Sequence, residues 1–176
     1  PWNAVTVDES TDPVSVNIWG RRYRFTKEAP FPTGIETGGS ELLQSPVTLS
    51  ARVDGNEIEW ENPKFRRVKH SDMITRLLHQ LDSEALVLRV STSVEFDGYM
   101  VFDCRLKANR ELTLDEISLR IPLVRKLVPL GYGDRVFPLD PEVAISEFFS
   151  GSIDSDQSFR FSPMVWLGDV DHGIGW

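Results

Sequence analysis

The chain has 176 residues, 40% of them hydrophobic and 26% charged, the proportions of a globular domain able to bury a core. Its net charge of −8, with the basic residues in short groups (Arg21, Arg22, Arg24; Arg66, Arg67, Lys69), argues against a nucleic-acid surface, which needs many cations facing phosphates. No apolar run approaches the roughly 18 residues of a membrane-spanning helix, and the single Cys104 excludes an internal disulfide and a cysteine-based metal site.

Period-two alternation dominates from the start. In "VSVNIWGRRYRF", Val14, Val16 and Ile18 fall on one face and Trp19, Arg21, Tyr23 and Phe25 on the other, with Gly20 marking a bulge in one long strand. Residues Lys27 to Gly39, rich in Pro and Gly, read as a long loop. Val47, Leu49, Ala51 and Val53 form the next strand face. A turn at Asp54-Gly55-Asn56 follows, then Ile58 and Trp60.

"SDMITRLLHQL" reads equally as a helix capped by Ser71, with Ile74, Leu77, Leu78 and Leu81 on one side, or as an extended strand. "LVLRVSTSVEFDGYMVFDCRLK" is a hairpin. Leu88, Val90, Thr92, Val94 and Phe96 alternate before Asp97-Gly98, which predicts a type I′ turn with two positive φ angles; Met100, Phe102, Cys104 and Leu106 alternate after it. Leu112 and Leu114, then Ile117, Leu119, Ile121 and Leu123, predict another half-buried strand, with Pro122 at an edge or strand end. "DPEVAISEFFSG" reads as a short helix, with Pro141 in its first turn and Gly151 past its end. Trp166 and Leu167 end a strand, Gly168 to Gly173 turn, and Ile174, Gly175 and Trp176 begin a return strand. The sum is an all-β antiparallel sandwich, jelly-roll or supersandwich in type, with one or two short helices, in a single domain over 1–176.

Little of this pattern carries catalytic chemistry. His70, His79 and His172 lack the spacing of a metal pair, so no metal or cofactor site is expected. There is no G-x-S-x-G elbow, and the glycines of "GGSELL" make a turn into a strand, not a phosphate loop. The carboxylate neighbours Asp8-Glu9 and Asp115-Glu116 suit glycoside chemistry in type, but as adjacent residues they point to opposite sides of a strand and read as solvated turns. Aromatic faces are the remaining candidates. Trp19, Tyr23 and Trp60 could stack on sugar rings, and Trp166 and Trp176 flank a polar turn carrying Asp171 and His172.

"EFDGYMVFDCRL", then "LTLDEISLRIPL", then "FSPMVWLGDVDHGIGW" resemble, in that order, the non-catalytic β-sandwich of bacterial proteins related to glycoside hydrolase family 123. The match is strong over 86–176 and follows only general strand order before that. The resemblance implies an N-terminal sandwich, cut from a longer chain, packed against a downstream (β/α)₈ barrel that acts on N-acetylated galactosaminides or related glycans. It also implies an extracellular or periplasmic setting. The catalytic Asp-Glu pair of that family belongs to the barrel, so no catalytic residue is carried over and no activity is expected from this piece. The expectation is an accessory domain that supports the barrel and contacts glycan through Trp166, Asp171, His172 and Trp176. Two alternatives stand beside it: an independent carbohydrate-binding module using Trp19, Tyr23 and Trp60, and a surface or assembly protein that pairs its terminal strand with a partner.

Overall fold

A computed structural model describes residues 3–137, 145–153 and 164–175. The chain forms two compact units, Pro1–Pro122 and Leu123–Trp176. In the first, β1 (Thr6–Asp8), β2 (Val14–Ile18), β3 (Arg21–Phe25), β4 (Gly34–Thr37) and β5 (Ser40–Glu41) make a sheet in sequence order. Strands β6 (Thr48–Val53) and β7 (Asn56–Glu57) are followed by β8 (Glu61–His70), β9 (Ile74–Asp82), β10 (Leu86–Glu95) and β11 (Met100–Ala108), which form a four-stranded meander. Strand β12 (Leu114–Arg120) returns to pair with β6, giving a third sheet of order β12-β6-β7. The second unit holds one sheet of order β14-β13-β15-β16, from β13 (Leu130–Phe137), β14 (Ile145–Ser152), β15 (Val165–Gly168) and β16 (Gly173–Gly175). Every pairing among the described residues is antiparallel. The all-β antiparallel class is therefore as the alternation indicates, while the strands are partitioned among four sheets where a sandwich has two.

Turn chemistry accounts for that partition. Residues 14–25 are a tight hairpin, not one bulged strand. Ile18 pairs with Arg21, and Gly20 takes φ +67, which the last residue of a two-residue loop needs here and a Cβ would disfavour. The hairpin sets Val16 opposite Tyr23 and Val14 opposite Phe25, so residues expected on opposite faces share one, and all four are buried. The expected long loop likewise contains β4, whose hairpin to β5 turns on Gly38 and Gly39, both at positive φ.

The turn between β6 and β7 is where the sequence places it, with Asp54 and Gly55 both at positive φ. The β10–β11 turn differs from the expected type I′. Glu95 and Tyr99 close a three-residue loop, the Gly98 nitrogen donates to the Glu95 carbonyl at 2.9 Å, and only Gly98 has positive φ, +91. This is the pattern of a type I turn followed by a left-handed glycine.

Residues 74–82 are strand. Pairing with β8 on one side and β10 on the other buries Thr75, Leu77, His79 and Leu81 with period two and settles the helix–strand ambiguity. The expected helix over "DPEVAISEFFSG" is corrected from Ile145 onward, where β14 pairs along its length with β13; residues 138–144 lie outside the described set. A single 3₁₀ turn, Arg125–Leu127, is the helical structure among the described residues.

The core of the first unit joins Val14, Val16, Phe25, Phe31 and Ile35 from the first sheet region with Leu77, Leu81, Leu88, Val90 and Val94 from the meander. Burial of side chains of this size stabilises by ~1.5–3 kcal/mol each. A second cluster, Ala51, Val53, Ala85 and Leu86, is covered by Ile58, Trp60, Leu106 and Leu112. Strand β12 departs from the expected buried face: every residue of it is exposed, Leu114, Ile117 and Leu119 included, and among the described strands it pairs with β6 alone.

Candidate functional site

The terminal hairpin gathers the densest set of sequence-selected residues. Trp166 pairs with Gly175, Leu167 with Ile174 and Gly168 with Gly173, leaving Asp169, Val170, Asp171 and His172 as the loop. Asp169 organises it. Its Oδ1 accepts hydrogen bonds from the main-chain nitrogens of Asp171 (2.8 Å) and His172 (2.6 Å), and its own nitrogen donates to the His172 carbonyl at 2.8 Å. Short Asp side chains favour such turns because they satisfy nitrogens that the strand ladder leaves unpaired. The main-chain bond from Asp171 and those from His172 hold the Asp169 carboxyl below the usual carboxylate range.

The same carboxylate lies 3.1 and 3.3 Å from the His172 ring Nδ1. A carboxylate can only accept, so Nδ1 carries the proton, and Nε2 is the ring nitrogen left to meet solvent or ligand. Trp166 lies across the glycines of this hairpin. A Cβ built at Gly173 would come within 2.5 Å of the indole Nε1, so the missing side chains let the ring rest on backbone. The hairpin therefore places an oriented imidazole, an indole and the exposed Asp171 on one short element. Together these groups can hydrogen-bond hydroxyls and stack on an apolar sugar face. Trp176 lies outside the described residues.

The other aromatic candidates are placed differently. Trp19 is 71% exposed in the β2–β3 turn. Tyr23 is only 4% exposed, and its hydroxyl donates to the Gly98 carbonyl at 3.0 Å. Trp60 is half-buried over Ala51, Val53, Ala85 and Leu86, with its indole nitrogen donating to the Leu49 carbonyl at 3.3 Å. The three thus lie in different settings, two of them turned to packing.

Several of the charged groups read from the sequence have structural partners. Arg22 and Arg24 both reach Glu36, Arg24 also pairs with Glu41, and Arg67 pairs with Glu9 at 2.8 Å. Asp115 accepts from the Gly55 nitrogen at 2.7 Å, and Glu116 lies 3.6 Å from Arg52. Both members of that dipeptide serve the β6–β12 connection.

Sequence reasoning missed an open cleft of about 380 Å³ in the first unit, lined by Asn56, Glu57, Glu59, Glu61, Glu84 and Arg110 among others. The signal was the alternation of Glu57, Glu59 and Glu61 in "NEIEWE". Beside the cleft, Asp54 accepts from Arg110 at 2.9 Å and from the Thr113 nitrogen at 3.0 Å, which ties β12 to the β6–β7 turn. Among the described residues no group of three or more His, Cys, Asp or Glu side chains could hold a metal ion, and no helix is long and apolar enough to cross a membrane.

Sheets built from short antiparallel strands, with a polar-aromatic hairpin in the second unit, define an all-β module. Residues 5–176 match the family model described as glycoside hydrolase 123, third domain, and the chain belongs to that family. The match spans both compact units, and its description as a third domain does not support the N-terminal position that the resemblance implied. No curated protein matches the chain.

Proposed function

We propose that this accessory domain is non-catalytic, buttresses the catalytic domain of a multidomain glycoside hydrolase, and touches glycan through the β15–β16 hairpin. The observation that carries the reading is the Asp169–His172 pair, a ring nitrogen oriented by a carboxylate, on the same hairpin whose glycines the Trp166 indole rests on. Such preorganisation lowers the ordering cost of binding a hydroxyl-rich ligand. The acceptor glycan class, N-acetylgalactosaminides, comes from the family resemblance and sets the choice of test substrate.

The test uses the full-length parent enzyme. His172→Ala and Trp166→Phe are expected to raise KM for an oligosaccharide several-fold while kcat stays close to wild type. Unchanged KM in both variants, with the hairpin still folded by NMR, overturns glycan contact. A large fall in kcat with KM unchanged overturns the non-catalytic role.

A second reading draws on topology. Strand β16 is an edge strand of its sheet, with one side of its backbone unpaired by a described strand. If it pairs with a partner strand, the full-length protein self-associates with concentration and Ile174→Lys weakens that association. Monomeric behaviour across the range rules it out for self-assembly.

A further inference from the structure

His79 sits at the centre of β9, 1% exposed, and joins two layers of the first unit. Its Nε2 lies 3.0 Å from the Thr26 carbonyl, just past β3, and its ring packs on Phe65 of β8 with centroids 4.8 Å apart. A carbonyl can only accept, so Nε2 carries a proton, and burial of the ring favours the neutral form, in which Nδ1 is bare. That Nδ1 has no hydrogen-bond partner among the described residues. Thr92, two residues along β10 from Val90, the register partner of His79, is also fully buried with an unpartnered Oγ1, so the two do not bond each other.

The surroundings offer a protonated ring little. On β9, Leu77 and Leu81 flank it; on β10, Leu88, Val90 and Thr92 face it. On β8, Phe65 stands opposite, and Arg67, two residues on, is paired with Glu9. From the loop after β3, which also carries Lys27, Glu28 is the negative charge that favours the imidazolium. Burial outweighs both Glu28 and the Thr26 carbonyl and holds the basicity of His79 below that of a free imidazole.

We infer that His79 is an acid-sensitive joint: neutral, it pins the loop after β3 to the β8–β11 meander, and a proton on Nδ1 releases that loop. The new N–H would be buried at a nitrogen that has no hydrogen-bond partner among the described residues, since even the Thr92 hydroxyl is not bonded to it, whereas in the opened state it meets water. The sign follows from linkage. A histidine whose folded basicity is lowered contributes stability that is complete above its unfolded pKa of about 6.5 and is lost as pH falls from there toward the lowered folded value. Asp8, Asp54 and Asp82 are all held below the ordinary aspartate value of 3.8, so their own losses fall beneath this window.

The experiment is amide hydrogen exchange on the full chain between pH 7.5 and 5, corrected for intrinsic rates. Opening at residues 26–31 and 77–81 is expected to rise by up to about tenfold per pH unit below about 6.5, the limit for one linked proton. His79→Gln keeps a side-chain donor for Thr26 but cannot take the proton, so it should abolish the slope; His70→Gln, at an exposed position, should leave it. A slope that persists in His79→Gln, or a wild-type profile flat to pH 5, overturns the inference. Should His79→Gln fail to fold, ring ¹⁵N shifts of wild-type His79 decide. Protonation in step with lost protection at Thr26–Phe31 supports the joint; protonation with protection intact, or protection lost while the ring stays neutral, overturns it.

Discussion

The Asp169 carboxylate grips His172 twice, through the ring Nδ1 at 3.1 Å and through the main-chain nitrogen at 2.6 Å. One side chain therefore fixes both the backbone of the loop and the aim of the imidazole. Because the bonds from Asp171 and His172 favour the ionised carboxyl, the turn should be fully organised above the ordinary aspartate range, about 3.8–3.9. It should loosen as pH falls through the lowered folded value. Amide shifts of Asp171 and His172, followed from pH 6 to 2, check this. Asp169→Ala should show the loosened shifts already at pH 6.

Gly168 and Gly173 face each other across the same hairpin, yet substitution at each should read out differently. A Cβ at Gly168 would press on the His172 carbonyl and come within 2.7 Å of the Gly173 Cα, both backbone. Gly168→Ala is expected to cost ~1–3 kcal/mol, an overpacking penalty that thermal unfolding of the second unit would show. At Gly173 the obstacle is the Trp166 indole. Gly173→Ala should displace the ring, shift its indole N–H resonance and cost less.

Tyr23→Phe removes the donor to Gly98 and leaves a half-buried carbonyl unpaired. The expected loss is ~1–3 kcal/mol by chemical denaturation, with exchange in the β10–β11 loop raised first. Burial also pushes the Tyr23 hydroxyl above the usual tyrosine range, so its absorbance change should come at higher pH than that of a free phenol.

Phe25 and Trp19 flank one hairpin and should behave oppositely. Phe25 is fully buried, and Phe25→Ala should cost ~3–5 kcal/mol through lost transfer energy and a cavity. Trp19→Ala should fall within ~0.5 kcal/mol of wild type, since most of that side chain is in solvent. If Trp19→Ala also lowers glycan retention, the independent binding-module reading gains its one exposed aromatic.

The sequence by itself determined the class and many of the strand faces. Alternation in "LVLRVSTSV" places Leu88, Val90, Thr92 and Val94 inside because side chains on a strand must alternate, and the structure buries all four. It likewise marked Asp54-Gly55 and Gly38-Gly39 as turns, since few residues other than glycine or Asp/Asn tolerate positive φ. What the sequence left open was which strands become neighbours. Period two shows that Val16 and Tyr23 each have a buried face; only the tight reversal at Gly20 makes those faces the same one. Residues 74–81 carry spacing compatible with helix or strand, and pairing on both sides by β8 and β10 decides for strand. The hairpin residues Trp166, Asp171 and His172 were visible as types. The role of Asp169 in aiming His172, and the burial that leaves His79 without a partner for one nitrogen, arise from contacts that local spacing does not encode. Burial and long-range pairing are properties of the folded chain, and they turn an ordinary polar residue into an oriented or pH-sensitive one.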